Sequence, residues 1–204
     1  MVGVVGSSPI APTNAEGPVH ASGRGLFAFR RSGFVEGVKL GGCAYAPIPV
    51  NYAPSSVKSA SGSLTVGAFS YLPAEAGPKP IAPDLIRNTA MGEIHIDRDV
   101  KVFVRDAVFS ELRLVGVMTN DPNKVLTGEV EEFLIDDLGY SVDWTLRIKY
   151  TLTDSATHAV TYQAVKNQQR HTAKFANAFG AINETIKMNV EQLLDDPAFI
   201  DAIK

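Results

Sequence analysis

Residues 141–152 read Ser141-Val142-Asp143-Trp144-Thr145-Leu146-Arg147-Ile148-Lys149-Tyr150-Thr151-Leu152. Val142, Trp144, Leu146, Ile148, Tyr150 and Leu152 fill every second position, and hydrophilic residues fill the others. Side chains alternate between the two faces of a strand. The stretch therefore predicts a strand with one dry face and one solvated face. A dry sheet face must be covered, and the rest of the chain shows what covers it.

Working outward, Asp154-Ser155 reads as a turn into a partner strand at about His158–Lys166. Upstream, Asp136-Asp137-Leu138-Gly139 turns back into a strand at about Val125–Ile135, itself preceded by the turn cluster Asn120-Asp121-Pro122-Asn123. A weaker strand runs from Leu64 to about Pro73 and a short one covers Glu93–Ile96, with a Pro/Gly-rich loop between them. Two helices supply the cover. Val100, Phe103, Val104, Ala107, Val108, Leu112 and Val115 form one apolar stripe, with Asp97 as the expected N-cap and Gly116 at the C′ position. Phe175, Phe179, Ile182, Ile186, Val190 and Leu193 form a second stripe on a helix expected over Ala173–Leu194. Asp196 and Pro197 then suit the N-cap and first position of a short last helix. The expectation is an α+β fold: an antiparallel or mixed sheet of four to five strands, with two long amphipathic helices on one face. A β-α-β link across residues 93–135 allows a mixed sheet through a right-handed crossover.

Composition divides the chain. Ten of the twelve prolines lie at or before Pro83, and residues 1–62 carry net +3 against −6 for residues 63–204. Residues 1–62 lack any sustained period of 2 or 3.6, so they are expected to stay unpacked. Three domains of organisation follow: 1–39 a disordered leader, non-native or removed; 40–62 a lipobox-like cysteine and flexible tether; 63–204 one folded domain. No run of about 18 apolar residues predicts a membrane-spanning helix. The overall charge of −3 gives no electrostatic footprint for nucleic acid.

Candidate chemistry is sparse. The four histidines, His20, His95, His158 and His171, show no metal-ligand spacing, and no nucleophile elbow or Walker loop occurs. Arg98, Lys101, Arg105, Asp106 and Arg113 read as a solvated helix face. Glu131 and Glu132 are adjacent in an expected strand, so they should point to opposite faces and not share a ligand. The wet-face residues Asp143, Thr145, Arg147 and Lys149 offer a contact surface. No cofactor, no metal and no catalysis are expected.

One short motif stands apart. Leu40-Gly41-Gly42-Cys43 places small residues before a cysteine, the pattern a bacterial lipobox uses. The lipoprotein peptidase accepts small residues beside its cut, and the cysteine sulfur carries diacylglycerol. Several acyl chains at one residue give stable anchoring where one is marginal. The segment upstream argues against efficient insertion, because Arg30, Arg31, Glu36 and Lys39 interrupt the apolar region a signal peptide needs. Met1–Asn14 looks like the translated 3′ end of a tRNA gene, which fits a misplaced start upstream of Leu40.

The folded half resembles the YajG-type lipoproteins of Gram-negative bacteria. The resemblance rests on Asp97-Arg98-Asp99-Val100 leading through Val104 to Leu114-Val115-Gly116, on Asp195-Asp196-Pro197 to Ile203, and on the Cys43 region. It implies a lipid-anchored protein on the periplasmic face of the outer membrane, without enzyme activity, and it implies Cys43 as the lipidated residue. Ala44 after the cysteine is similar to the outer-membrane sorting pattern. The expected role is binding or assembly in the envelope, with an envelope protein as a partner. The alternatives are an accessory subunit of a lipid or lipopolysaccharide transporter, or an unlipidated soluble periplasmic binding domain.

Overall fold

The structure, a computed structural model, describes residues 46–89, 92–173 and 177–204. Elements follow in the order β1 Thr65–Tyr71, α1 Leu72–Glu75, β2 Leu85–Asn88, β3 Ile94–His95, α2 Val100–Leu114, β4 Lys124–Asp137, β5 Ser141–Asp154, β6 Val160–Ala173, α3 Ala178–Leu194 and α4 Pro197–Ile203.

The alternation in residues 141–152 holds without a break. Val142, Trp144, Leu146, Ile148, Tyr150 and Leu152 are all buried on one face of β5. Antiparallel ladders join β5 to β4 and to β6 along almost their whole lengths. The other edge of β4 carries two parallel strands end to end. β1 pairs with residues 125–130 and β2 with Leu134 and Ile135, and β3 runs antiparallel outside β2. The sheet is therefore mixed and mostly antiparallel, with six strands among the described residues rather than four to five. The parallel neighbours of β4 are β1 and β2, not β3 at the head of the expected β-α-β link. β2 escapes the sequence pattern because Leu85-Ile86-Arg87-Asn88 is too short to show a period.

Helices α2 and α3 contact each other and lie over the sheet. Val100, Phe103, Val104, Ala107, Val108 and Leu112 of α2 are buried, as are Ile182, Ile186, Val190 and Leu193 of α3. Fully burying such a side chain contributes about 1.5–3 kcal/mol over leaving it in water. The first stripe ends at Gly116, whose φ of +102° suits a residue without Cβ. The N-cap of α2 is Asp99 rather than Asp97, with its carbonyl accepting from Val102 and Phe103. Asp97 instead binds the guanidinium of Arg98. At α4 the Asp196 side chain accepts from Ala198 N, with Pro197 at the first position.

Two boundaries move. β6 continues past Lys166 to Ala173, so α3 begins five residues later than expected, capped by the Asn177 side chain. Phe179 falls on its exposed first turn and not in the buried stripe, and Phe175 lies outside the described residues. His158 is not at a strand start but in the β5–β6 turn with φ +57°.

The largest departure lies upstream. The flexible tether expected within residues 40–62 is, from residue 46 on, part of the folded unit. Ile48 forms a parallel bridge with Ile96, donating its N–H to His95 O and accepting from Asp97 N at 2.8 and 3.0 Å. Val50 and Ser56 are buried, and Ala60 N donates to Val115 O. This strap carries no period because single side chains and backbone groups hold it, not a repeating face.

Candidate functional site

The strap is held by a carboxylate. Glu111 of α2 is fully buried and accepts from Tyr52 Oη at 2.5 Å, Ser55 N at 2.9 Å and Ser56 N at 3.1 Å. All three donors are neutral. Charge-assisted hydrogen bonds of this kind offset the desolvation that a buried carboxylate carries. Ser56 Oγ then donates to Glu191 and Lys58 Nζ to Asp195, tying the strap to α3 and its C-terminus. Asn183 Nδ2 reaches Asn51 O. Burial, followed by the bond to Glu111, pushes the Tyr52 hydroxyl well above its usual range, so it remains a donor. Glu111 lies three positions from Val108 on the stripe of α2, so a carboxylate within an apolar stripe was the available signal.

His95 of β3 lies between the strap and β2. Its Nδ1 lies 2.9 Å from Asp84 Oδ2 and its Nε2 3.3 Å from Glu93 Oε2. The bond to Asp84, then that to Glu93, raises its pKa. Its backbone oxygen accepts from Ile48, so the imidazole sits on the strand that anchors the strap.

On the outer sheet face the two adjacent glutamates meet. A β-bulge between Val130 and Glu132 inserts an extra residue into β4. Glu131 Oε2 lies 2.8 Å from Arg147 Nε, and Glu132 Oε2 3.4 Å from Arg147 Nη1. The expectation that they point to opposite faces fails because the bulge resets the alternation. Beside them Lys149 faces Glu129 at 3.7 Å, and His171 Nδ1 lies 2.6 Å from Asp143. The wet-face cations Arg147 and Lys149 are thus already partnered. Arg98, Lys101 and Arg105 of the basic face are partnered too, by Asp97, Glu75 and Asp106.

Two open depressions flank this layout. One of about 500 Å³ lies along β2 and is lined by Ile81, Leu85, Arg87, Asn88, Thr89 and Glu93 among others. One of about 280 Å³ lies on the outer face between β1, β4 and β5, near Ser70, Thr127, Glu129, Lys149 and Thr151. Among the described residues no group of three or more His, Cys, Asp or Glu side chains is placed to hold a metal ion. No helix among them is long and apolar enough to cross a membrane. Cys43, the lipidation candidate, and His20 lie outside the described residues.

No family model and no curated protein matches the chain. The fold does recur in solved structures. Protein XCC0632 from Xanthomonas campestris, of the DUF330 family model, is similar with a TM-score of 0.54 at 17% identity, over 77% of this chain and 95% of that one. CT253, a hypothetical protein from Chlamydia trachomatis, is similar at TM-score 0.49 and 8% identity, over 70% and 99%. Lipoprotein GNA1162 from Neisseria meningitidis gives 0.39 and 11%, over 66% and 99%. The first of these establishes that the α+β architecture is shared.

Proposed function

We propose that the chain is a lipid-anchored protein of the Gram-negative cell envelope, attached through Cys43 and facing the periplasm from the outer membrane. Its folded domain acts in binding or assembly and not in catalysis. The observation that carries this reading is a spacing. The lipobox-like Leu40-Gly41-Gly42-Cys43 ends five residues before Ile48, the first of the described residues that is bridged to the sheet. A cleavage before Cys43 would leave the domain intact and put the modified residue on a leash of only a few residues. The YajG-type resemblance supports the same assignment. The partnered ion pairs of the outer face fit a surface that presents shape and hydrogen bonds more than free charge.

Growth with a fatty-acid analogue tests the anchor. The protein should carry the label and lose it in Cys43→Ala. Label retained in that variant, or absent from protein purified out of the envelope, would overturn the reading. Affinity capture of the labelled protein from solubilised envelopes, resolved for proteins and lipids, identifies what it binds.

A further inference from the structure

The start of the strap points toward one end of the sheet, the end that carries the β4–β5 hairpin. β4 ends at Asp137, and the three-residue tip Leu138-Gly139-Tyr140 turns into β5. β2 is parallel to β4, so its last residue, Asn88, lies at that end, and Thr89 Oγ1 donates to Asp136 Oδ1 at 2.6 Å. β3 is antiparallel to β2 and therefore starts there. The Ile48–Ile96 bridge is parallel, so the chain before Ile48 comes from the same end. Ala46 thus lies on the hairpin-tip side of Ile48, while Gly62 and α4 meet at the other end.

The tip carries side chains that water does not favour. Tyr140 is 97% exposed and Leu138 54% exposed, although neither is needed for the turn. Gly139, at φ +95°, and Asp137, whose Oδ1 accepts from Gly139 N, already satisfy the turn geometry. Phe179, 47% exposed, sits on the first turn of α3, the helix that follows β6 from the end where Ala173 pairs with Ser141. Tyrosine is enriched at bilayer interfaces, and phenylalanine and leucine serve as the buried apolar side of interfacial segments.

Chain length makes the tip and the anchor coincide. Ile86 pairs with Ile94, one step before Arg87 pairs with Leu134, so Ala46 stands roughly level with Phe133. From there Cys43 can rise by at most ~11 Å, three residues of extended chain. The tip at Leu138–Tyr140 stands about 17–20 Å above the same level at ~3.3 Å per strand residue. A domain held at Cys43 with this end toward its anchor cannot keep the tip clear of the lipid.

We infer that the β4–β5 hairpin tip, Leu138 and Tyr140, is a membrane-docking element that enters the interfacial region of the bilayer to which Cys43 is anchored. This rests on the anchor proposed above. The carboxylates Asp136 and Asp143 beside the tip offer no attraction to anionic headgroups. Insertion is therefore apolar and should persist on a zwitterionic surface. The element converts a flexible attachment into a fixed orientation, with the outer sheet face held upright from the membrane.

The test uses the full chain, expressed in a Gram-negative host, purified from the envelope and reconstituted into phosphatidylcholine vesicles with brominated acyl chains. Tyr140→Trp adds one fluorophore at the tip. Val57→Trp adds one at a site equally exposed but tied through Ser56 and Lys58 to the far end of α3. The buried Trp144 supplies a common background. The expected result is quenching of the Tyr140→Trp emission, none at Val57→Trp, and loss of quenching when Leu138→Asp is added. Fatty-acid labelling is read on the same samples. Label present with Tyr140→Trp unquenched, or with both sites quenched alike, overturns the docking element and leaves the anchor standing. Label absent with quenching at the tip overturns the anchor and supports docking without it, whereas label absent and no quenching overturns both. A photo-crosslinker at Tyr140 that captures an envelope protein in place of lipid also overturns the inference.

Discussion

The two faces of the sheet hold carboxylates in opposite ways. On the helical side Glu111 is sealed from water and met only by a phenol and two backbone amides. On the outer side Glu131 and Glu132 share the guanidinium of Arg147 and remain partly open to solvent. The outer group has the opposite charge beside it and the inner group does not. The inner group nevertheless holds the structure more firmly, because solvent competes for every contact outside and for none inside. Stability in this molecule is therefore expected to follow burial of the hydrogen bond more than formal pairing of charge.

The comparison breaks most readily at Glu111. Glu111→Ala removes three bonds to one carboxylate and strands two backbone donors. It should cost about 3 kcal/mol on the scale of charged buried hydrogen bonds, and hydrogen exchange should show residues 46–62 opening while β4–β6 stay protected. Loss of the whole sheet's protection at once would mean that the strap is integral to the core.

A second inner-face test uses shape alone. A Cβ built on Gly128 would meet Phe69 Cε2 at 2.3 Å, so Gly128→Ala forces the ring of Phe69 aside. Overpacking of this kind costs about 1–3 kcal/mol, read from denaturant midpoints, and Phe69→Leu should recover part of it.

On the outer face Arg147→Ala should cost no more than about 1 kcal/mol, and the difference should shrink with added salt. A double-mutant cycle with Glu131→Gln measures the coupling. A value as large as the Glu111 loss would erase the contrast between the faces.

The smallest effect concerns pH. The pKa of His95 is raised in the folded state, so its ion pairs contribute stability that is fully present below the ordinary value of 6.5 and lost as pH rises through the elevated one. His95→Gln should flatten the stability curve across that window, followed by imidazole NMR titration alongside thermal melts. Asp196 behaves inversely. Lys166 and Tyr162 lower its pKa, so its share is present above 3.8 and lost as pH falls through the lowered value.

What the sequence reveals and conceals follows the same division between repeating and singular contacts. The dry face of β5 and the stripe of α2 are legible because periodic burial writes a periodic pattern. The caps at Asp196 and Gly116 are legible because each meets a local geometric demand. β6 beyond Lys166 is not, since its sheet-inner positions, Lys166, Gln168, Arg170 and Thr172, are as polar as its outer ones. The bulge left a trace that adjacency arguments overlook. Leu126, Gly128 and Val130 keep even parity while Phe133 and Ile135 keep odd. Of the site, Cys43 comes from motif alone, whereas Glu111 leaves only a carboxylate within an apolar stripe, because its partners Tyr52, Ser55 and Ser56 lie more than fifty positions away.

One contact at the far end of the sheet bears on how the molecule is made. Ser63 N donates to Ile203 O at 2.7 Å, and Gly62 lies so close to Ile203 that a Cβ there would meet it at 2.6 Å. The start of β1 is thus sealed by a residue of α4, the last helix of the described chain. Such closure between distant positions is slow in folding terms. A ribosome or secretion channel releasing the chain from its N-terminus would hold it incomplete until α4 emerged. During that interval the start of β1 and the strap would remain available to a chaperone.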